Sequence, residues 1–275
     1  MAKNSSGEMS FLEHLEELRW HIVRSAVAVM ACAVVAFIFS RFIFDYVLLA
    51  PRNPQFITNR LLCRLGEYMN MKALCINEHP FTIQNINMSG QFMADIMVSL
   101  IAGVIVSFPY IMWEVWKFIS PALYDKERQH ARGSVWAVSA LFLTGAAFGY
   151  YIIVPLSVDF LGGYKTSEEI LNQIALNSYL TTVAYVPLGV GVIFELPLLM
   201  IFLTKVGVVT PDFLKKYRKH AYVILLVLSA VITPPDVFSQ MLVVLPLGLL
   251  YELSIVLTRR TARKHQQTID SIENG

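Results

Sequence analysis

Long apolar runs separated by short polar stretches set the first expectations for this chain. A transmembrane helix needs roughly 20 mostly apolar residues, and four segments reach that length: 21–44, 92–119, 134–156 and 179–203. A shorter run, 221–232, leads into Thr233-Pro234-Pro235-Asp236, and a further apolar run occupies 237–257. Helices stop before proline, so these last two runs are predicted to return as a hairpin. The pattern predicts an all-α polytopic membrane protein with six spans, the last two short. Residues 1–20 are predicted to form an amphipathic amino-terminal helix along the interface before the chain turns into the first span. Residues 45–90 form a long loop, and the polar tail 258–275 is predicted to be disordered.

Within the spans, Pro109, Pro187, Pro197 and Pro246 each remove a backbone hydrogen bond and predict kinks. Four kinked helices suggest a curved arrangement. Gly145 and Gly149, four residues apart, predict close packing between helices inside the molecule.

Composition strengthens the membrane reading. The 275 residues are 56% hydrophobic and only 15% charged, against about 25% charged in soluble domains. A net charge of +2 with no basic stripe interleaved with aromatics argues against nucleic acid. No nucleotide-binding, zinc-binding or nucleophile-elbow motif occurs, so neither a cofactor, a metal nor enzymatic activity is expected. No cleavable signal peptide is evident in the polar stretch 1–17.

An even number of spans puts both termini on one side. The loops on that side carry most of the basic residues, among them Lys117, Lys126, Arg128, Arg132, Lys205, Lys215, Lys216, Arg218 and Lys219. The positive-inside rule then makes both termini cytoplasmic and the loop 45–90 external. Cys63 and Cys75 lie in that loop and are either a disulfide or two buried thiols of a small helical cap. The apolar residues Leu61, Leu62, Leu65, Tyr68 and Met69 suit an amphipathic helix there. Cys32 reads as a small hydrophobe in the first span.

The candidate chemistry is carboxylate chemistry. Ser10-Phe11-Leu12-Glu13 is a capping box that starts a helix, and Glu13 and Glu17 lie one turn apart on it. These acids are either a solvated face or a docking site for a cation at the membrane surface. Glu127, between Lys126 and Arg128, is by itself an ordinary loop residue. Glu195 differs, because it sits in Val192-Ile-Phe-Glu-Leu-Pro-Leu-Leu199 with apolar neighbours on both sides. An acid inside the membrane is costly and reads as functional by default. Asp95 and Glu114, near the ends of the second span, are expected to reach the interface. A proton- or ion-coupled solute transporter with Glu195 as its titrating site is the competing reading; no internal repeat supports it.

Four segments taken in order resemble the TatC family, the multispanning core of the twin-arginine protein translocase. They are Phe11-Leu-Glu-His-Leu-Glu-Glu-Leu-Arg19, Trp116-Lys-Phe-Ile-Ser-Pro-Ala-Leu-Tyr124 with Glu127-Arg128, Phe194-Glu-Leu-Pro197, and Thr233-Pro-Pro-Asp-Val-Phe-Ser-Gln240. The resemblance implies a glove-shaped six-helix fold in the bacterial cytoplasmic membrane that receives twin-arginine signal peptides of folded precursors. It implies that Glu17 and Glu127 bind the arginines, with Leu18, Arg19 and Phe118 nearby. It further implies that Glu195 lies in a concave intramembrane face, and that Asp236 and Gln240 lie where single-span TatA/TatB-type subunits dock. Further copies of the chain are expected in the same complex. The cysteine pair of the 45–90 loop is not part of the shared motifs.

Overall fold

The computed structural model describes residues 11–71, 74–77, 81–119, 131–165, 167, 172–205, 209–233 and 237–273, with the backbone alone described at 11–14, 131–134, 238 and 261–273. Helix α1 (Phe11–Ile38) runs 28 residues. It contains no glycine or proline, so nothing interrupts the helix between the amino-terminal motif and the first apolar run. The expected turn between an interfacial helix and the first span is therefore absent, and the two are one rod. Beyond α1 the chain passes through a wide π-helical turn, Ile43–Leu48, and a tight turn, Ala50–Arg52, carrying Pro51.

The loop that follows holds α2 (Ile57–Tyr68). This helix ends on Asn70, which adopts a positive φ of 55°, while the Met71 amide donates to the Gly66 carbonyl at 2.8 Å. That is a left-handed helix stop, a conformation asparagine tolerates better than most residues. Cys63 and Cys75 are bonded, so of the two sequence readings the disulfide is the one seen.

Helix α3 (Gly90–Ile119) contains Pro109. Helix α4 (Ala131–Phe148) continues through a π-helical turn, Gly149–Ile153, into α5 (Val154–Gly163). The cause of the turn lies in Pro155, which has no amide hydrogen to give the carbonyl four residues earlier, that of Tyr151. The Thr58 hydroxyl of α2 donates to that carbonyl instead. Helix α6 (Leu176–Phe194) and α7 (Leu196–Lys205) are separated at Glu195. Pro197 stands in the first turn of α7, so the break falls just before it, and the Glu195 amide bonds back only three residues, to Val192. The expected span 179–203 is thus one span broken at Glu195.

Helix α8 (Pro211–Lys216) is capped by the Thr210 hydroxyl, which accepts from the Phe213 amide at 3.2 Å. Helices α9 (Arg218–Ile232) and α10 (Val237–Glu273) form the expected hairpin. Only the first is short. The polar segment 258–273, expected to be disordered, extends α10 to 37 residues. An established helix elongates readily through Ala, Arg, Lys, Gln and Glu. A two-residue parallel pairing, Ile83–Gln84 with Ile174–Ala175, ties the loop before α3 to the loop before α6, and no hydrophobic period announced it.

Five helices among the described residues are long and apolar enough to cross a membrane: Leu15–Ile38, Gly90–Ile119, Val135–Gly163, Leu176–Thr204 and Ser239–Arg260. At 15 residues, α9 extends only about 22 Å, short of the roughly 30 Å hydrocarbon core. The core forms around α6, where Leu180, Val186 and Val190 are fully buried against α5 and α10. Close helix approach depends on glycine. A Cβ on Gly103 would stand 2.8 Å from the Ala33 amide nitrogen of α1, and one on Gly149 would stand 2.8 Å from Cα of Pro187. Gly145 likewise faces Phe194 of α6, so the Gly145–Gly149 pair packs internally, as its spacing suggested.

Candidate functional site

The tightest helix pair, α1 with α3, carries a polar cluster at the end nearest the amino terminus. On α1 the residues turned toward α3 are small or polar: His21, Ser25, Ala28, Cys32 and Ala33 are buried or half-buried. On α3 the matching face is Gly103, Ser107, Tyr110 and Glu114, at helical spacing. Close backbone approach at Gly103 and Ala33 brings the two polar ends together. His21 Nδ1 donates to Glu114 Oε2 at 2.6 Å. Lys117 Nζ donates to Oε1 at 3.3 Å, Arg24 stands 3.9 Å from Oε2, and the Tyr110 hydroxyl also bonds the carboxylate.

Glu114 is only 1% exposed. A carboxylate has acceptor sites for about four donors, and these are supplied from two helices. The ammonium of Lys117 also lies 5.7 Å from the centre of the Trp113 ring, within cation–π range. The cluster therefore locks α1 to α3 through charge-assisted bonds in a poorly solvated place, where breaking one partner is expensive.

The predicted signal-peptide residues on α1 and at the end of α3 lie beside this lock. Glu17 and Leu18 are half-buried on α1, and Arg19 is exposed. Glu17 precedes His21 by one helical turn. The His21 ring meets Phe118, at the end of α3, edge-on at 6.1 Å. The amino-terminal motif and the end of α3 thus converge at one edge of the molecule. Glu127 falls outside the described residues, so its distance to Glu17 is not defined.

Glu195 stands apart from that cluster, at the break between α6 and α7. The residue is half-buried. Oε1 is itself buried and has no hydrogen-bond partner among the described residues, while the carboxyl bonds the backbone of Phe142 on α4. Gln240 does not project freely: its Nε2 donates to the Leu226 carbonyl across the α9–α10 hairpin at 3.0 Å. Asp236 lies outside the described residues. The same hairpin is tied at its other end by Glu252, which pairs with Arg218 and accepts from the Tyr222 hydroxyl at 2.8 Å.

Sequence reasoning missed Glu114. It was expected to reach the interface, yet it is the most buried acid among the described residues. The signal was present in the spacing Gly103, Ser107, Tyr110 and Glu114, a face of small and polar residues on an otherwise apolar helix. In the sequence His21 stands only at the start of the first apolar run, 21–44.

Comparison with known proteins places these features in a group. A profile of the family described as Sec-independent protein translocase protein (TatC) matches residues 13–246. The chain is 39% identical over 264 residues to the TatC protein of Blattabacterium from Periplaneta americana, covering 95% of this chain and 99% of that one. It is 32% identical over 268 residues to TatCy of Bacillus subtilis, covering 98% and 96%. A crystal structure of a twin-arginine translocase receptor, TatC, superposes with a TM-score of 0.72 at 30% identity, covering 90% of this chain and 99% of that one.

Proposed function

The chain belongs to the TatC family of Sec-independent protein translocases, and from that premise we propose that Glu17 and Glu127 receive the two arginines of a twin-arginine signal peptide. The protein is a multi-pass helical membrane protein and the receptor subunit of this translocase. The observation that carries the residue-level reading is the convergence of half-buried Glu17 and Leu18 with the Phe118 end of α3, through the His21 contact.

A planar guanidinium pairs with a carboxylate through two parallel hydrogen bonds, which an ammonium cannot reproduce. Two carboxylates on separate segments would select two arginines together. In this reading both termini are cytoplasmic, α9 is a sixth, short span in a locally thinned bilayer, and the membrane is the bacterial inner membrane. The chain performs no catalysis. Single-span TatA/TatB-type subunits and further copies of the chain complete the complex around Glu195 and the α9–α10 hairpin. The family assignment leaves the solute-transporter reading without an observation in its favour.

The test is precursor binding by the purified protein in nanodiscs. Glu17→Gln and Glu127→Gln should each weaken binding of a twin-arginine peptide by about tenfold, equivalent to some 1.4 kcal/mol, and should leave binding of a Lys-Lys peptide unchanged. Unaltered twin-arginine affinity in the double variant would overturn the assignment.

A further inference from the structure

Two of the groups around Glu114 do more than close the seam between α1 and α3. Lys117 and Arg24 stand 3.3 and 3.9 Å from the carboxylate, and both are half-exposed while the acid between them is buried. His21 and Tyr110 already join the two helices through the same carboxylate. Half-exposed cations add little to stability, because water competes for them and long side chains lose freedom when held. Their value therefore lies in where Glu114 keeps them.

Glu17, His21 and Arg24 follow at i, i+4 and i+7 of α1, which at 100° per residue puts them within about 60° of one another on one face. His21 bonds Glu114 and meets Phe118 edge-on, so that face is the one turned to α3. Arg24 stands about 10 Å along the helix axis from Glu17. Lys117 immediately precedes Phe118, and its ammonium is also held over the Trp113 ring at 5.7 Å. The other charged side chains described at this end of α1 are Glu16 and Arg19, both exposed. They point about 100° and 160° away from Glu17 around the helix.

We propose that Glu114 is a positioning residue of the receptor site: it holds Arg24 and Lys117 away from Glu17, so that the arginines of the signal peptide are the cations that pair there. The inference rests on the assignment of Glu17 made above. Freed from Glu114, the two cations would stand unpaired beside that carboxylate. They would compete with the peptide for its oxygens and oppose the approach of a ligand of like charge. Burial of Glu114 suits the task, since a carboxylate sheltered from water keeps its hold on neighbouring cations when salt screens the exposed charges.

The experiment measures binding of a fluorescent twin-arginine peptide to the full chain in nanodiscs. Glu114→Gln keeps an oxygen that can accept from His21 and removes the charge. It should weaken binding by about fivefold in roughly 50 mM salt, and by less than about twofold in roughly 1 M salt, where the Debye length falls to about 3 Å. Adding Arg24→Gln and Lys117→Gln to that variant should restore the parent's affinity, although it strips the lock further. Arg24→Gln with Lys117→Gln alone should bind the peptide at least as tightly as the parent. A triple variant as weak as Glu114→Gln would overturn the proposal, because loss of structure would then be the cause. Glu17→Gln is measured in parallel. If it weakens binding and Glu114→Gln does not, the role of Glu114 falls and the assignment of Glu17 stands. If Glu17→Gln changes nothing, the assignment itself fails and this inference fails with it.

Discussion

Glu114 and Glu195 are both acids on largely apolar helices, and the structure treats them oppositely. Glu114 is 1% exposed and receives His21, Lys117 and Tyr110, with Arg24 alongside. Glu195 is half-buried and keeps a buried oxygen without a partner among the described residues. An anion saturated by donors from two helices acts as a rivet. A polar atom left unsatisfied in an apolar setting costs free energy with no return inside the monomer. Depth in a hydropathy profile does not separate these roles; the partner supply does.

The comparison can be broken most readily at Glu114. Glu114→Ala would remove the acceptor of His21 and Lys117, both cations beside it being half exposed, so unfolding in detergent should become easier by about 1–3 kcal/mol, read as a lowered midpoint of thermal unfolding. Gly103→Ala comes next. Its new methyl would meet the α1 backbone at Ala33, and the resulting separation should cost about 1–3 kcal/mol while loosening the His21–Glu114 bond. Gln240→Leu should cost only about 0.5 kcal/mol, because the Leu226 carbonyl keeps its bond from the Ser229 hydroxyl. Glu195→Leu is the sharpest contrast: removing an unsatisfied buried oxygen should leave stability within about 1 kcal/mol of the parent or raise it, yet abolish export of a twin-arginine reporter. A large loss of stability from Glu195→Leu would erase the distinction between the two acids.

How far the sequence could carry these conclusions depended on which forces act locally. The apolar runs placed the helices, because burial in lipid is a property of each segment alone. The hairpin at Thr233 was legible because proline ends helices. Ser10 of the capping box lies outside the described residues, and the fully helical composition of 11–38 explains why no turn interrupts α1. What stayed hidden depends on distant partners. The break at Glu195 follows from Pro197, but the orphaned oxygen needs the positions of α4 and α6. The π-helical turn at Gly149–Ile153 is rooted in Pro155, but its compensation by Thr58 comes from a residue 93 positions away. The His21–Glu114 bond likewise spans 93 residues. The disulfide was one of two open readings, because the sequence brings Cys63 and Cys75 into one loop without saying whether the helix stop at Asn70 folds them together. The extension of α10 beyond residue 257 was missed because polarity was read as disorder, although the residues there are good helix formers.

The receptor site itself is tested most directly by photocrosslinking from the position beside Glu17 in intact membranes. A photoreactive residue replacing Glu17 would remove the site, so the probe belongs at Leu18, with Glu17 retained. A twin-arginine precursor should crosslink from Leu18, and the adduct should disappear when its arginines are replaced by lysines or when Glu17 is changed to Gln. Crosslinking of equal strength for the Arg-Arg and Lys-Lys precursors, unaffected by Glu17→Gln, would contradict the carboxylate-based recognition proposed for this end of α1.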